Sequence, residues 1–116
     1  VPYPKNMPAY CRRFGLNSYY AGKHWSERKR DADEMHWLVR AAMSRAGIPH
    51  RCCERPVQIT FRHNTRMDVD NHAVIEKYIV DAMKGWLLQE DSKRFYRRKI
   101  SEYWDGDGVE VVVEEI

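Results

Sequence analysis

Several features are scarce in this sequence, and each scarcity narrows its reading. No apolar run approaches the roughly 20 residues that span a bilayer, so no membrane helix is expected. No secretory signal pattern is visible. Only three cysteines occur, Cys11, Cys52 and Cys53. Adjacent cysteines rarely pair with each other and the odd count leaves a free thiol, so a disulfide framework is not expected; the reading is a reducing, cytoplasmic compartment. His50 stands close to Cys52 and Cys53, but no paired spacing supplies the four ligands of a zinc site. No internal repeat, low-complexity tract, or serine or cysteine nucleophile motif is present.

What is there fits one α+β domain over residues 1–116, long enough to bury a single core. Residues 1–15 hold three prolines and little periodicity, which suggests an edge strand or extended arm. Met35, Leu38, Val39, Ala42, Met43 and Ala46 recur at helical spacing and predict a helix from about Ser26, as N-cap, to Ala46. Gly47 and Pro49 then form a stop signal. Val57, Ile59 and Phe61 alternate with Gln58, Thr60 and Arg62, the period of a half-buried strand over Val57–His63. A polar bend follows, then a helix over about Asn71–Lys84 with Val74, Ile75, Tyr78, Ile79, Ala82 and Met83 on its apolar face, ended by Gly85. Phe95–Trp104 and Val109–Ile116 read as strands joined in a hairpin by Asp105-Gly106-Asp107-Gly108. The expected architecture is a mixed or antiparallel sheet with two main helices packed on it.

The formal charge is only +3, but it is unevenly spread. Lys and Arg gather at Arg12-Arg13, at Arg28-Lys29-Arg30 and from Lys93 to Lys99, while carboxylates concentrate in the middle and at the C-terminus. Basic patches beside a local acidic site suit a protein that holds a polyanion and does metal chemistry on it; solvated helix faces and an edge strand are the plainer alternative. The candidate acidic site is Asp68-Val69-Asp70-Asn71. In extended backbone its two carboxylates would point to one side, an arrangement that a shared cation stabilises. The plainer alternative is an N-cap with a solvated neighbour. Glu90 and Asp91 would join this site only if the chain returned toward the start of the second helix. His24, His63 and His72 read as satisfied surface or core residues.

Arg66-Met67-Asp68-Val69-Asp70-Asn71, Lys77, Asp81-Ala82-Met83-Lys84-Gly85 and Glu90-Asp91-Ser92 together resemble the RusA family of Holliday junction resolvases. Leu16-Asn17-Ser18-Tyr19-Tyr20 is similar to that family's Asn-x-x-Tyr segment, so the resemblance runs from about residue 16 to 116. It implies that Asp68, Asp70 and Asp91 are catalytic carboxylates binding Mg²⁺, with Mn²⁺ as a substitute, and that Lys77 is the helix lysine of the site. It also implies a homodimer that nicks two strands of a four-way junction symmetrically. Lys77 follows Asn71 by six residues where the family has three; an extra turn among His72-Ala73-Val74, with regular helix from near Ile75, would absorb the difference and let Lys77 reach the carboxylates, the plainer alternative being a surface lysine paired with Asp81 at i,i+4. Asn17, Lys23, Arg28, Lys93 and Arg97 are the expected DNA-binding residues. A branched-DNA-binding protein that is non-catalytic, or that has a different specificity, is the alternative.

Overall fold

The computed structural model describes residues 1–16, 19 and 22–116, and shows an α+β fold. Helix α1 spans Met7–Phe14, α2 Trp25–Arg45 and α3 Ala73–Met83; strands β1, β2 and β3 span Val57–His63, Tyr96–Tyr103 and Glu110–Glu115. The sheet order is β2-β1-β3, with β1 parallel to β2 and antiparallel to β3.

The N-terminal segment differs from the expected edge strand or arm. Asn6 Oδ1 accepts the Ala9 N–H at 3.0 Å, and a proline stands in the first turn, so α1 starts with a satisfied cap. Tyr10 and Phe14 then bury completely in the core. Only Val1 pairs with the sheet, exchanging two backbone hydrogen bonds with Val109. Helix α2 begins two residues before the expected start, and its cap is His24 rather than Ser26: the His24 ring accepts the Ser26 N–H at 3.1 Å. Gly47 at φ 70° and Gly85 at φ 81° occupy the left-handed region just after α2 and α3, where a Cβ would be strained.

The core lies between the helices and one face of the sheet. Met35, Val39 and Met43 of α2, Ile75, Ile79 and Met83 of α3, and Val57, Ile59 and Phe61 of β1 are all buried there. Burial of side chains this size contributes about 1.5–3 kcal/mol each before the entropy of ordering is set against it. Helix α3 is buried over most of its circumference because it lies between α2 and the β1–β2 pair. Arg40 of α2 closes its C-terminal end, donating to Ala82 O at 3.1 Å and Lys84 O at 2.9 Å.

The expected hairpin through Asp105–Gly108 is not formed. The chain does reverse there, but β3 passes β2 and pairs with the far side of β1. Segment β1-α3-β2 is instead a parallel crossover unit, with Val57 opposite Tyr96 and His63 opposite Tyr103.

Candidate functional site

The polar bend after β1 is bolted to the sheet. Tyr103 Oη donates to Met67 O at 2.5 Å, and the Thr65 hydroxyl accepts the Met67 N–H at 3.1 Å while standing 2.7 Å from His72 Nε2. Asp68 follows as the N-cap residue of a 3₁₀ turn, Val69–His72, that runs into α3. Its side chain makes no cap hydrogen bond; Asn71 N–H instead bonds the Asp68 carbonyl at 2.9 Å. Asp70 lies within the turn, so the two carboxylates are not related by the two-residue alternation of extended chain. Both are exposed, and neither forms an ion pair with a described residue. Free amides at a helix start favour carboxylates in that position.

Along the flank of α3 runs a cleft of about 200 Å³, lined by Ala73, Glu76, Lys77, Val80, Asp91, Tyr96 and Lys99. It therefore holds two of the expected site residues, Lys77 and Asp91; Asp68 and Asp70 are not among its lining residues. The extra turn expected among His72-Ala73-Val74 is not formed: a 3₁₀ turn, Val69–His72, precedes the helix, but Ala73 and Val74 are already regular helix, so Lys77 falls in the second turn and not in the first. Lys77 Nζ pairs with Asp81 at 3.2 Å. The Asp91 carboxylate is 3.3 Å from Lys84 Nζ, which also meets Asp81 at 3.0 Å. Those two carboxylates, with Asp81 the larger influence, raise the pKa of Lys84.

Parallel topology keeps the carboxylates apart. Asp68 and Asp70 follow the last residue of β1, whereas Asp91 precedes the first residue of β2, at the other end of the pair. Among the described residues no three His, Cys, Asp or Glu side chains stand together as a metal-holding group. The expected three-carboxylate cluster is thus not assembled in this structure. Asp68 and Asp70 remain exposed carboxylates, and Mg²⁺ commonly takes one or two such ligands while keeping several waters. Bound there, such an ion would supply an acidified water and charge stabilisation at a phosphate.

The expected DNA contacts divide into two groups. Lys23 points inward: its side chain is 10% exposed, and its ammonium meets the buried Asp31 carboxylate and the Arg13 carbonyl. Arg28 donates to Tyr19 O at 3.1 Å and packs 4.2 Å from the Tyr19 ring centroid. Lys93 and Arg97 are exposed, as are Arg94 and Arg98, just before or within the edge strand β2; none of the four lines the cleft. Asn17 lies outside the described residues.

The most organised polar group was not anticipated from the sequence. Glu76 is only 3% exposed. Its carboxylate accepts from Lys99 Nζ at 2.8 Å, Ser101 Oγ at 2.6 Å and His63 Nε2 at 2.9 Å. Burial pushes its pKa up, but the bonds from His63, Lys99 and Ser101 outweigh burial and hold it below its ordinary value. A usable signal exists in the sequence: His72, Glu76 and Val80 lie at i, i+4 and i+8 on a helix otherwise rich in apolar residues, so two polar side chains share a ridge that must be buried. A larger groove, about 530 Å³, lies between α2 and β3, lined mainly by apolar side chains such as Val39, Met43, Met83 and Val111, and contains none of the expected site residues.

Compared with known proteins, the chain matches no family model, no curated protein and no solved structure.

Proposed function

We propose that this protein is a Mg²⁺-dependent endonuclease that cuts branched DNA, four-way junctions above all, and works as a homodimer of the RusA type. The observation that carries the reading is the cleft along α3. It joins Asp91 and Lys77 in one concavity; the exposed basic residues Lys93, Arg94, Arg97 and Arg98 follow Asp91 in sequence, and Asp68 and Asp70, which have no ion-pair partner among the described residues, precede the helix that forms its flank. In this reading Lys93 and Arg97 hold backbone phosphates without reading sequence. Lys77, released from Asp81, neutralises phosphate charge as the bond breaks. A two-fold dimer would present identical sites to the two equivalent strands of a junction.

One observation favours a second reading, a non-catalytic branched-DNA-binding protein: Asp91 is paired with Lys84 and does not close a carboxylate cluster with Asp68 and Asp70. Incubating the protein with a labelled four-way junction, a flap and a duplex separates the two. Cleavage of the branched substrates with Mg²⁺, and none with EDTA, supports the nuclease. Retention of the junction without cleavage under both conditions supports the binding protein.

A further inference from the structure

The buried Glu76 has a consequence for its neighbour Lys99. A carboxylate removed from water at this depth is costly unless it is fully hydrogen-bonded. Here the donors come from two strands: His63 from β1, Ser101 and Lys99 from β2. His63 and Ser101 hold one oxygen and so fix the orientation of the whole carboxylate. The other oxygen, thereby fixed in space, faces the Lys99 ammonium at 2.8 Å.

Lys99 itself is not buried. Its side chain is 44% exposed and lines the cleft with Lys77 and Asp91. An ammonium has three donors. One is directed at Glu76, and no further side-chain hydrogen bond or ion pair joins the Lys99 ammonium to a described residue. Lys99 is therefore a half-exposed cation whose head is held in one place by an anchor behind it. Lys77 differs: its ammonium is held by Asp81, itself a partly exposed residue on the same helix. A strand lysine set by a helix glutamate is also the arrangement by which protein kinases hold a lysine against phosphate oxygens, so such pairing is compatible with phosphate contact.

We propose that Lys99 is a phosphate-contacting residue of the α3 cleft and that Glu76 is the residue that positions it; the proposal rests on the reading of this cleft as a DNA-cleaving site. Phosphate oxygens of the DNA backbone accept the two remaining donors of Lys99. Glu76 lines the cleft but is only 3% exposed, and acts through that lysine.

The test compares wild type, Lys99→Met, Lys99→Arg, Glu76→Gln and the Lys99→Met/Glu76→Gln double variant. Each is assayed for single-turnover cleavage of a four-way junction with Mg²⁺, for junction binding across a salt series in EDTA, and for thermal melting. Lys99→Met is expected to slow cleavage about 100-fold, the loss typical of one charge-stabilising donor. It should also flatten the slope of log affinity against log salt by about one. Lys99→Arg should recover most of the rate. The double variant should cleave no more slowly than Lys99→Met alone, because Glu76 acts through Lys99. A merely structural pair would instead lower the melting temperature and leave the rate of the folded protein and the salt slope unchanged, which would overturn the proposal. Wild-type cleavage with unaltered cleavage and salt slope in Lys99→Met overturns the role of Lys99 alone. Absence of cleavage by wild type on every branched substrate overturns the nuclease reading, and the salt slope then decides whether Lys99 still meets phosphate.

Discussion

His72 stacks face to face on His63, with ring centroids 3.7 Å apart and planes inclined by 4°. Both imidazoles are fully buried beneath the turn that carries Asp68 and Asp70. Burial first, and the His63 ring second, push the His72 pKa down to about 4. In the unfolded chain the same group takes up a proton near its ordinary value of 6.5. The unfolded state therefore binds more protons between these values, and the stability contributed by neutral His72 is present above pH 6.5 and lost as pH falls toward 4. The full shift corresponds to about 3 kcal/mol. Glu76, held below its ordinary value, adds a further loss of stability at more acidic pH as it protonates. Melting curves at several pH values from 7 to 4 are expected to fall steadily; a flat profile down to pH 4.5 would show that His72 is not held neutral.

Asp70→Asn is expected to abolish cleavage and preserve junction affinity, since it removes a ligand charge while keeping the shape of an exposed side chain. Because Asp70 makes no ion pair with a described residue, its loss should leave the melting temperature nearly unchanged. A variant that melts like wild type and still cleaves at the wild-type rate removes Asp70 from the site.

The basic residues separate by what they face. Asp31 is buried between Arg13 and Lys23, and Arg13 also meets Glu34 at 2.6 Å. Asp31→Ala leaves two partly buried cations without their partner and should cost about 3–5 kcal/mol. Lys93→Ala and Arg97→Ala should each change stability by less than about 0.5 kcal/mol. Each should flatten the salt dependence of DNA binding by about one unit of slope. Chemical denaturation and binding isotherms measured on the same three variants check the division; equal salt slopes in all of them would show that the β2 edge is only a solvated face.

Arg40 packs 5.5 Å from the Trp86 ring centroid while donating to the carbonyls that end α3. Arg40→Ala is expected to destabilise the fold by about 1–3 kcal/mol, through unsatisfied helix-end carbonyls and lost packing. Arg40→Lys should recover only part of this, having a point charge in place of a fork. Urea unfolding of both variants gives the comparison.

How far the sequence could be read depended on the range of the interactions concerned. The bounds of strand β1 are legible because Val57, Ile59 and Phe61 alternate locally; that Thr60 on the other face is buried too is not legible in that alternation. The apolar face of α3 was likewise recovered, since Ile75, Ile79 and Met83 recur at helical spacing. Asp105-Gly106-Asp107-Gly108 signalled a reversal, but turn chemistry does not state which strand the returning chain pairs with, and β1 already occupied the inner position. The proline-bearing start was misread because Asn6 and Pro8 are cap signals only when a helix follows, and α1 is held by the burial of Tyr10 and Phe14. Lys23 is not a phosphate contact because Asp31, eight residues along the chain, is buried and pairs with it, a placement that local sequence does not encode. Nothing in the local pattern singles out the partners of Glu76, because His63, Lys99 and Ser101 come from two strands distant in sequence.

The central claim is most directly tested by mapping breaks on a four-way junction labelled in turn on each of its strands, with wild type and Asp70→Asn, in Mg²⁺ and in EDTA. The account predicts paired nicks at symmetric positions on two opposite strands, with wild type and Mg²⁺ only. Junctions held by wild-type protein in Mg²⁺ with every strand intact would contradict it.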